Sequence, residues 1–398
     1  MNSFRNYFLG LLSGIILCVM ILLLADYLDI HPIPSSSMSE EVWRKAKVVE
    51  KYIDSYYWKE GVSDKKMSEY AAKGIVAALD DKYSVYYTDE EYEETMSGVE
   101  GDYAGIGITV EQEPETDRKI IRAVQKGKPG DKAGLKPGDE IRSVNGTDVR
   151  TIPLSEAVSK IRGEEGKTSV LGIARQQDGK EITLIVNVTA EKIVNQSVTY
   201  RMLESAIGYV RISSFDNETT AQFEEAVKQL EKKKQKGMIV DVRNNGGGSL
   251  GAVISILDYL LPEGKLITEK SRGKEDVEYS STDEKHFDKT IVVLVNQNSA
   301  SASEVFAGTL QDREAASLVG VKTFGKGIVQ TIYSLQDSCG GGIKLTTGEY
   351  FLPSGRSIHE KGLTPDVECE YTGSEDSLGE EDDNQLKKAI EVITSGLT

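Results

Sequence analysis

After Lys192 the chain alternates short, almost wholly apolar runs with longer amphipathic ones: IGYVRI, TAQFEEAVKQLEKK, GMIVDVR, SLGAVISILDYLL, TIVVLVN, SASEVFAGTLQD and SLVGV. Apolar runs without a polar face suit strands covered on both sides. Their alternation with helical periodicity predicts α/β units, a largely parallel sheet and crossover helices. Sheets of this kind gather their sites at the carboxyl ends of the strands. That rule selects three stretches: DVRNNGGGS from Asp241, NQNSASASEVFAGTLQD from Asn296 and GVKTFGKGIVQ from Gly320.

The rest of the chain divides around this core, which we bound at 191–371. Between 98 and 190 short strands (GIGITV, KIIRAV, EIRSVN, SVLGIAR, EITLIVNV) are separated by Gly, Pro and Asp turns, with one helical stretch at Leu154–Ile161, predicting a compact β-rich module. Residues 40–97 carry apolar positions at helical spacing (Val42, Ala46, Val49, Ile53; Ala71, Ile75, Ala78, Leu79) and a supply of tyrosines expected to pack in cores and interfaces. Residues 372–398 read as an acidic, flexible link followed by a docking helix, NQLKKAIEVITS.

Residues 7–25 contain no charge over 19 positions, close to the roughly 20 needed for a helix to cross a bilayer. They predict a single membrane anchor preceded by a short cytoplasmic tail at 1–6 and followed by a Pro/Ser-rich linker at 26–39. A cleavable signal peptide is the alternative, but LLLADYLDI follows the run where a small-residue site is usual. Arg5 before the run and Asp26 and Asp29 after it place the body outside the cytoplasm, so a single-pass cell-membrane protein is expected.

Composition narrows the chemistry. With 47 basic against 64 acidic residues the net charge is -17, which excludes a protein built to grip nucleic acid. Cys18, Cys339 and Cys369, with His31, His286 and His359, show no metal-ligand spacing, so no metal or other cofactor is expected and catalysis must manage without a histidine cluster. Whether Cys339 and Cys369 pair is left open.

A strand-to-helix turn such as that in SASASEV can expose a nucleophile beside free helix amides. Alone, Ser301-x-x-Glu304 reads as a capping box, which is far commoner than a nucleophile. GVKTFGKG nearly spells a phosphate loop, but Gly327 stands where Ser or Thr is needed and a strand-like IVQTIY follows, so that reading fails. What remains is a lysine between two glycines. The glycines of DVRNNGGGS can aim amides into a cleft as an anion nest. Together the three suit acyl transfer with a serine nucleophile and a lysine base. Such a lysine must fall from about 10.4 toward about 7 to 8, a change of about 4 kcal/mol that burial must supply. Phe324, Ile328 and Val329 flank Lys326, and no acidic residue lies between Glu314 and Asp337.

The combination DVRNNGGGSL, SASASEVFAGTLQD and TFGKGIVQ, in that order, resembles the carboxy-terminal processing (tail-specific) serine proteases of the bacterial membrane-anchored type. The resemblance extends to TTGEYFLPSGRSIHEKGLTPDV, and YAGIGITV, GKPGDKAGLKPGDEIRSVNG and LSEAVSKIRGEEG are similar to the PDZ domain of that family. It implies a crotonase/ClpP-like α/β protease core with an inserted PDZ domain. By the same resemblance Ser301 is the nucleophile, Lys326 the base and Gln330 the residue that orients it, with the amides of Gly247 and Ala302 as the oxyanion hole. Gly246 departs from the Asn-Pro-Gly-Gly the family uses there.

Within the PDZ-like module, Tyr103, Ala104, Gly105, Ile106, Gly107 and Ile108 form the expected carboxylate-binding loop, and Arg162 is a candidate regulatory link to the active site. The implied partners are proteins or peptides with exposed C-termini, the membrane and a second copy in a homodimer. A PDZ adaptor on an inactive protease body is the alternative. An acyl transferase acting on small thioesters is disfavoured by the PDZ module.

Overall fold

The computed structural model describes residues 40–59, 61–114, 116–162, 165–282, 286–374 and 377–396. The expected cytoplasmic tail, membrane anchor and linker at 1–39 lie outside the described residues. Among the described residues no helix is long and apolar enough to cross a membrane. The chain forms two compact units, one ending at Tyr70 and one beginning at Ala71.

In the first unit, helix α1 (Glu40–Tyr56) leaves Trp43, Val49, Tyr52 and Tyr56 exposed. Its aromatic residues therefore take no part in a core among the described residues, which leaves the interface half of the expectation open. Helix α2 (Asp64–Ala77) continues into the second unit, followed by β1 (Val85–Tyr87) and α3 (Asp89–Glu100).

The PDZ-like module occupies the next stretch: β2 (Asp102–Gly105), β3 (Ile108–Gln112), β4 (Lys119–Val124), a one-turn α4 (Pro129–Lys132), β5 (Glu140–Val144), β6 (Thr147–Asp148), α5 (Leu154–Ile161), β7 (Thr168–Gln177), β8 (Lys180–Thr189) and β9 (Glu191–Val194). Its sheet runs β3-β4-β5-β7-β8, which leaves β3 at an edge with α5 beside it, over a core of Ile121, Ile141, Leu171 and Ile173. The entering and leaving strands, β2 and β9, pair antiparallel as a ribbon, with Tyr103 opposite Ile193 and Gly105 opposite Glu191.

The protease-like body carries β10 (Val198–Met202), β11 (Ile207–Ile212), α6 (Thr219–Lys232), β12 (Gly237–Asp241), α7 (Leu250–Leu260), β13 (Gly264–Ser271), β14 (Val277–Ser281), β15 (Thr290–Val295), α8 (Ala302–Asp312), β16 (Ala316–Gly320), β17 (Ile328–Ser334), β18 (Gly342–Phe351), β19 (Val367–Glu368) and α9 (Asn384–Gly396). The main sheet runs β10-β11-β12-β15-β16-β19, parallel throughout except at β10. Its strands are apolar on both faces because both are covered. One face packs Val240 and Val293 with Phe223, Val253 and Phe306 of the crossover helices, and the other packs Tyr209, Ile239 and Val292 under Leu386, Ala389 and Ile393 of α9.

A second, antiparallel sheet, β1-β18-β13-β14 with β17 also on β18, stands beside the first. Residues 85–87, expected within a helical segment, thus form its edge, with Val85 opposite Lys344.

The acidic stretch before α9 is not a free link where it is described. Arg201 donates to the Gly379 carbonyl, Arg211 to that of Leu378, and Asp383 is fully buried. Asp383 shares the guanidinium of Arg243 with Asp241, at 2.6 Å to each, and no side chain of the three is exposed. The Tyr209 hydroxyl donates to Asp241 at 2.7 Å. Burial pushes the Asp383 carboxyl up, but Arg243 and the amides of Leu386 and Gly379 outweigh it and hold it below its ordinary 3.8. A carboxyl depressed in the folded state contributes stability above its unfolded pKa and loses it as pH falls through the folded value. Arg243→Met leaves two buried carboxylates without a counter-charge, a loss of about 3–5 kcal/mol. Melting curves should show the gap to wild type widest near neutral pH and closing below about pH 4, and a gap constant with pH would contradict the network.

Candidate active site

The turn between β15 and α8 carries Ser301 with φ 56° and ψ -117°, a conformation that side chains rarely adopt. Such strain costs of order 1–3 kcal/mol and persists only where the surroundings over-determine it. Here they do. The Ala300 amide donates to the Asn245 carbonyl at 3.1 Å, the Ser303 hydroxyl to the same carbonyl at 2.9 Å, and the Ser299 hydroxyl to Val242 at 2.8 Å. Asn296, Asn244 and Asn298 stitch the same two loops through side-chain amides at 2.7–2.9 Å. The turn after β12 and the turn after β15 are therefore one hydrogen-bonded body.

The third stretch joins them through Glu304, in the first turn of α8 and fully buried. One carboxylate oxygen accepts from the Ser301 amide at 3.0 Å and the Lys326 amide at 2.8 Å. The other accepts from the Gly325 amide at 2.7 Å and the Thr323 hydroxyl at 2.6 Å. Four donors and a helix amino terminus satisfy a charge that would otherwise be costly to bury. Capping explains only the bond to Ser301. The bonds to Gly325 and Lys326 make Glu304 the clasp between the two turns, a role that sequence reasoning missed because its capping pattern already accounted for it.

Lys326 is half-buried, and its amine donates to Gln330 Oε1 at 2.7 Å. Gly327 beside it leaves room for the closing segment: a Cβ there would lie 2.5 Å from the His359 amide. Burial pushes the lysine below its ordinary 10.5, and the charge of Lys344 on β18 pushes the same way. The apolar wall differs from expectation, since Ile328 and Val329 are buried but Phe324 is half exposed. So does the exclusion of carboxylates: Asp81 opposes the shift, and the Tyr83 ring lies 4.8 Å from the amine. Both come from the chain before the PDZ module, which local sequence around Lys326 cannot reveal.

Gly247 lies against the Ser301 turn with φ 103°, where a Cβ would come within 2.8–2.9 Å of Ala300, Ser301 and Ala302. Its amide donates to Asn245 Oδ1 at 2.8 Å. The Ala302 amide, first in α8, has no hydrogen-bond partner among the described residues. At Gly246, where proline was expected, the Cβ direction opens into free space.

In the PDZ-like module Tyr103, Ala104 and Gly105 are paired strand rather than loop, because β9 satisfies them. Only Ile106 and Gly107 turn, and their carbonyls accept from the amides of Gly130 and Gln125, while Ile108 opens β3. Arg162 ends α5, its amide donating to Val158 at 2.8 Å. Cys339 and Cys369 are both free.

A parallel sheet with a strained serine at a strand-to-helix turn, joined to a half-buried lysine and preceded by a module built on a six-stranded sheet with an open edge, is the arrangement of a serine peptidase carrying a PDZ domain. The Peptidase family S41 model matches residues 206–369 and the PDZ domain model residues 97–172. The chain is 34% identical over 368 residues to a CtpA-like serine protease of Staphylococcus aureus, covering 91% of this chain and 72% of that one. It is 33% identical over 346 residues to a carboxyl-terminal-processing protease of Synechocystis, covering 86% and 80%. A solved photosystem II D1 C-terminal processing protease matches 83% of this chain and 92% of its own at 28% identity, with a TM-score of 0.47. The chain belongs to the carboxyl-terminal-processing serine proteases of peptidase family S41.

Glu304→Gln tests the clasp. The amide nitrogen must face two of the four donors, each orphaned at about 1–3 kcal/mol. The melting temperature and kcat should both fall, and an unchanged melting temperature would show that the carboxylate is not clasping the turns.

Proposed function

We propose that the protein is a membrane-anchored endopeptidase that cleaves extracytoplasmic proteins with a Ser301/Lys326 dyad and selects substrates by their exposed C-termini through the PDZ domain. The observation that carries the catalytic assignment is the shared Glu304 carboxylate, which binds the backbone of both residues. In the acylation step neutral Lys326 takes the Ser301 hydroxyl proton while Oγ bonds to the scissile carbonyl carbon. The resulting oxyanion is held by the Ala302 amide and by that of Gly247 once it exchanges Asn245 Oδ1 for the substrate. Protonated Lys326 then gives its proton to the departing amine as the C–N bond breaks. A water molecule, deprotonated by the same lysine, then attacks the acyl carbon, and as the C–Oγ bond breaks the lysine returns its proton to Ser301 Oγ. Gln330 holds the amine without adding a charge that would raise its pKa.

The 19 uncharged residues at 7–25 support the anchor, and Arg5 before them supports an external body. The edge position of β3 beside α5 supports peptide pairing along that strand. The exposed apolar side chains of α1, among them Trp43 and Val49, support a second copy as a partner.

The test is cleavage of a disordered protein substrate. Ser301→Ala and Lys326→Ala should each lose at least about 10³-fold in kcat, in keeping with removal of one member of a catalytic unit. Because Lys326 is depressed by burial and by Lys344, kcat/KM should climb with pH to a limb below 10.5. Two active variants, or a limb at the ordinary histidine value near 6.5, would overturn the dyad.

A further inference from the structure

The turn Asp81–Ser84, between α2 and β1, lies outside both family-matched regions, yet it is built against the base. Gln330 Nε2 donates to the Tyr83 carbonyl at 2.8 Å, across 247 residues of sequence. A carbonyl only accepts, so the amide nitrogen of Gln330 must face Tyr83 and its oxygen must face Lys326. Without that carbonyl the amide is free to turn and set its own donors against those of the lysine. The Tyr83 ring closes another side of the amine at 4.8 Å.

The turn is braced in its own right. Asp81 accepts from the Tyr83 amide at 3.0 Å and the Ser84 hydroxyl at 2.6 Å. Ser84 Oγ in turn accepts from the Thr346 amide of β18 at 3.1 Å, and β1 follows directly in register with β18. The bracing aspartate is thus tied to the sheet that carries Gln330.

We propose that Asp81 and Tyr83 are positioning residues of the catalytic base: the Asp81-braced turn fixes the Gln330 amide and walls Lys326, so that the base is complete only when the segment ahead of the PDZ domain is seated. The proposal rests on Lys326 being that base.

Charge gives it a signature. From the turn, Asp81 and the Tyr83 ring face Lys326, with Lys82 lying over the Tyr83 and Phe324 rings. From β18, Lys344 faces it, and from α8 the Glu304 carboxylate binds its backbone amide. Asp81 favours the ammonium and Lys344 opposes it. Removing the first charge therefore lets the lysine deprotonate at lower pH, and removing the second makes it hold its proton to higher pH.

The experiment follows kcat and KM against pH in the full chain and, independently of turnover, the titration of Lys326 by NMR in ¹³C-lysine-labelled Ser301→Ala protein. Asp81→Ala should lower kcat by about tenfold or more with KM nearly unchanged, the pattern of a lost transition-state contribution. Asp81→Asn keeps an acceptor for the Tyr83 amide, so it should retain most of kcat while the acid limb and the Lys326 titration both move to lower pH. Lys344→Met should move both to higher pH. Wild-type kcat in Asp81→Ala, or a Lys326 titration that stays put in Asp81→Asn, overturns the proposal. If Lys326→Ala is inactive and these variants behave as wild type, this inference alone falls. If Lys326→Ala cleaves normally, the dyad itself is wrong.

Discussion

The site hangs on one buried carboxylate. Glu304 cannot be stripped of water unless donors replace it, and its four donors come from the backbone or hydroxyls of Ser301, Thr323, Gly325 and Lys326. The cost of burying the charge thereby becomes a constraint on geometry. The serine turn and the lysine turn, which arrive from β15 and from the end of β16, must converge on the same two oxygens. The strained backbone of Ser301 is held by the same means, with the Asn245 carbonyl as its second anchor. Ser301 and Lys326 are thus brought together through the main chain, which leaves the catalytic roles proposed for them to their side chains.

The parts of this architecture that could be read from sequence are those governed by short-range pattern. Runs such as TIVVLV and GMIVD are apolar on both faces only because helices cover both faces, so the parallel sheet was legible, as were its crossover helices and the turns that carry Ser301, Lys326 and Gly247. The antiparallel sheet was not. In β18 eight of ten residues are neither fully buried nor exposed, so neither a period of two nor an apolar run marks it. Tyr103–Gly105 looked like a loop because its partner, Glu191–Ile193, comes only at the far end of the PDZ-like module.

The hardest element to foresee was the company Lys326 keeps. Local sequence offered a lysine with no acid near it, which is the condition for a strongly lowered pKa. The fold returns an acid from far upstream, set against burial and Lys344, and brings an aromatic ring to within 4.8 Å of the amine. The lysine is held between opposing influences instead of being pushed as far as burial allows. That balance suits the two proton transfers proposed for Lys326, from serine and then to a leaving amine.

The strand pairing that seats this turn also has a meaning for how the chain comes to be folded. β1 joins β18, and the Tyr83 carbonyl meets Gln330, across a stretch of chain that holds the whole PDZ module and most of the parallel sheet. Contacts that close so long a stretch of chain are entropically late and slow to form. On the roles proposed for Lys326 and the Asp81 turn, a partly folded chain would hold the serine and the lysine before it holds the contact that orients Gln330 between them and the upstream turn.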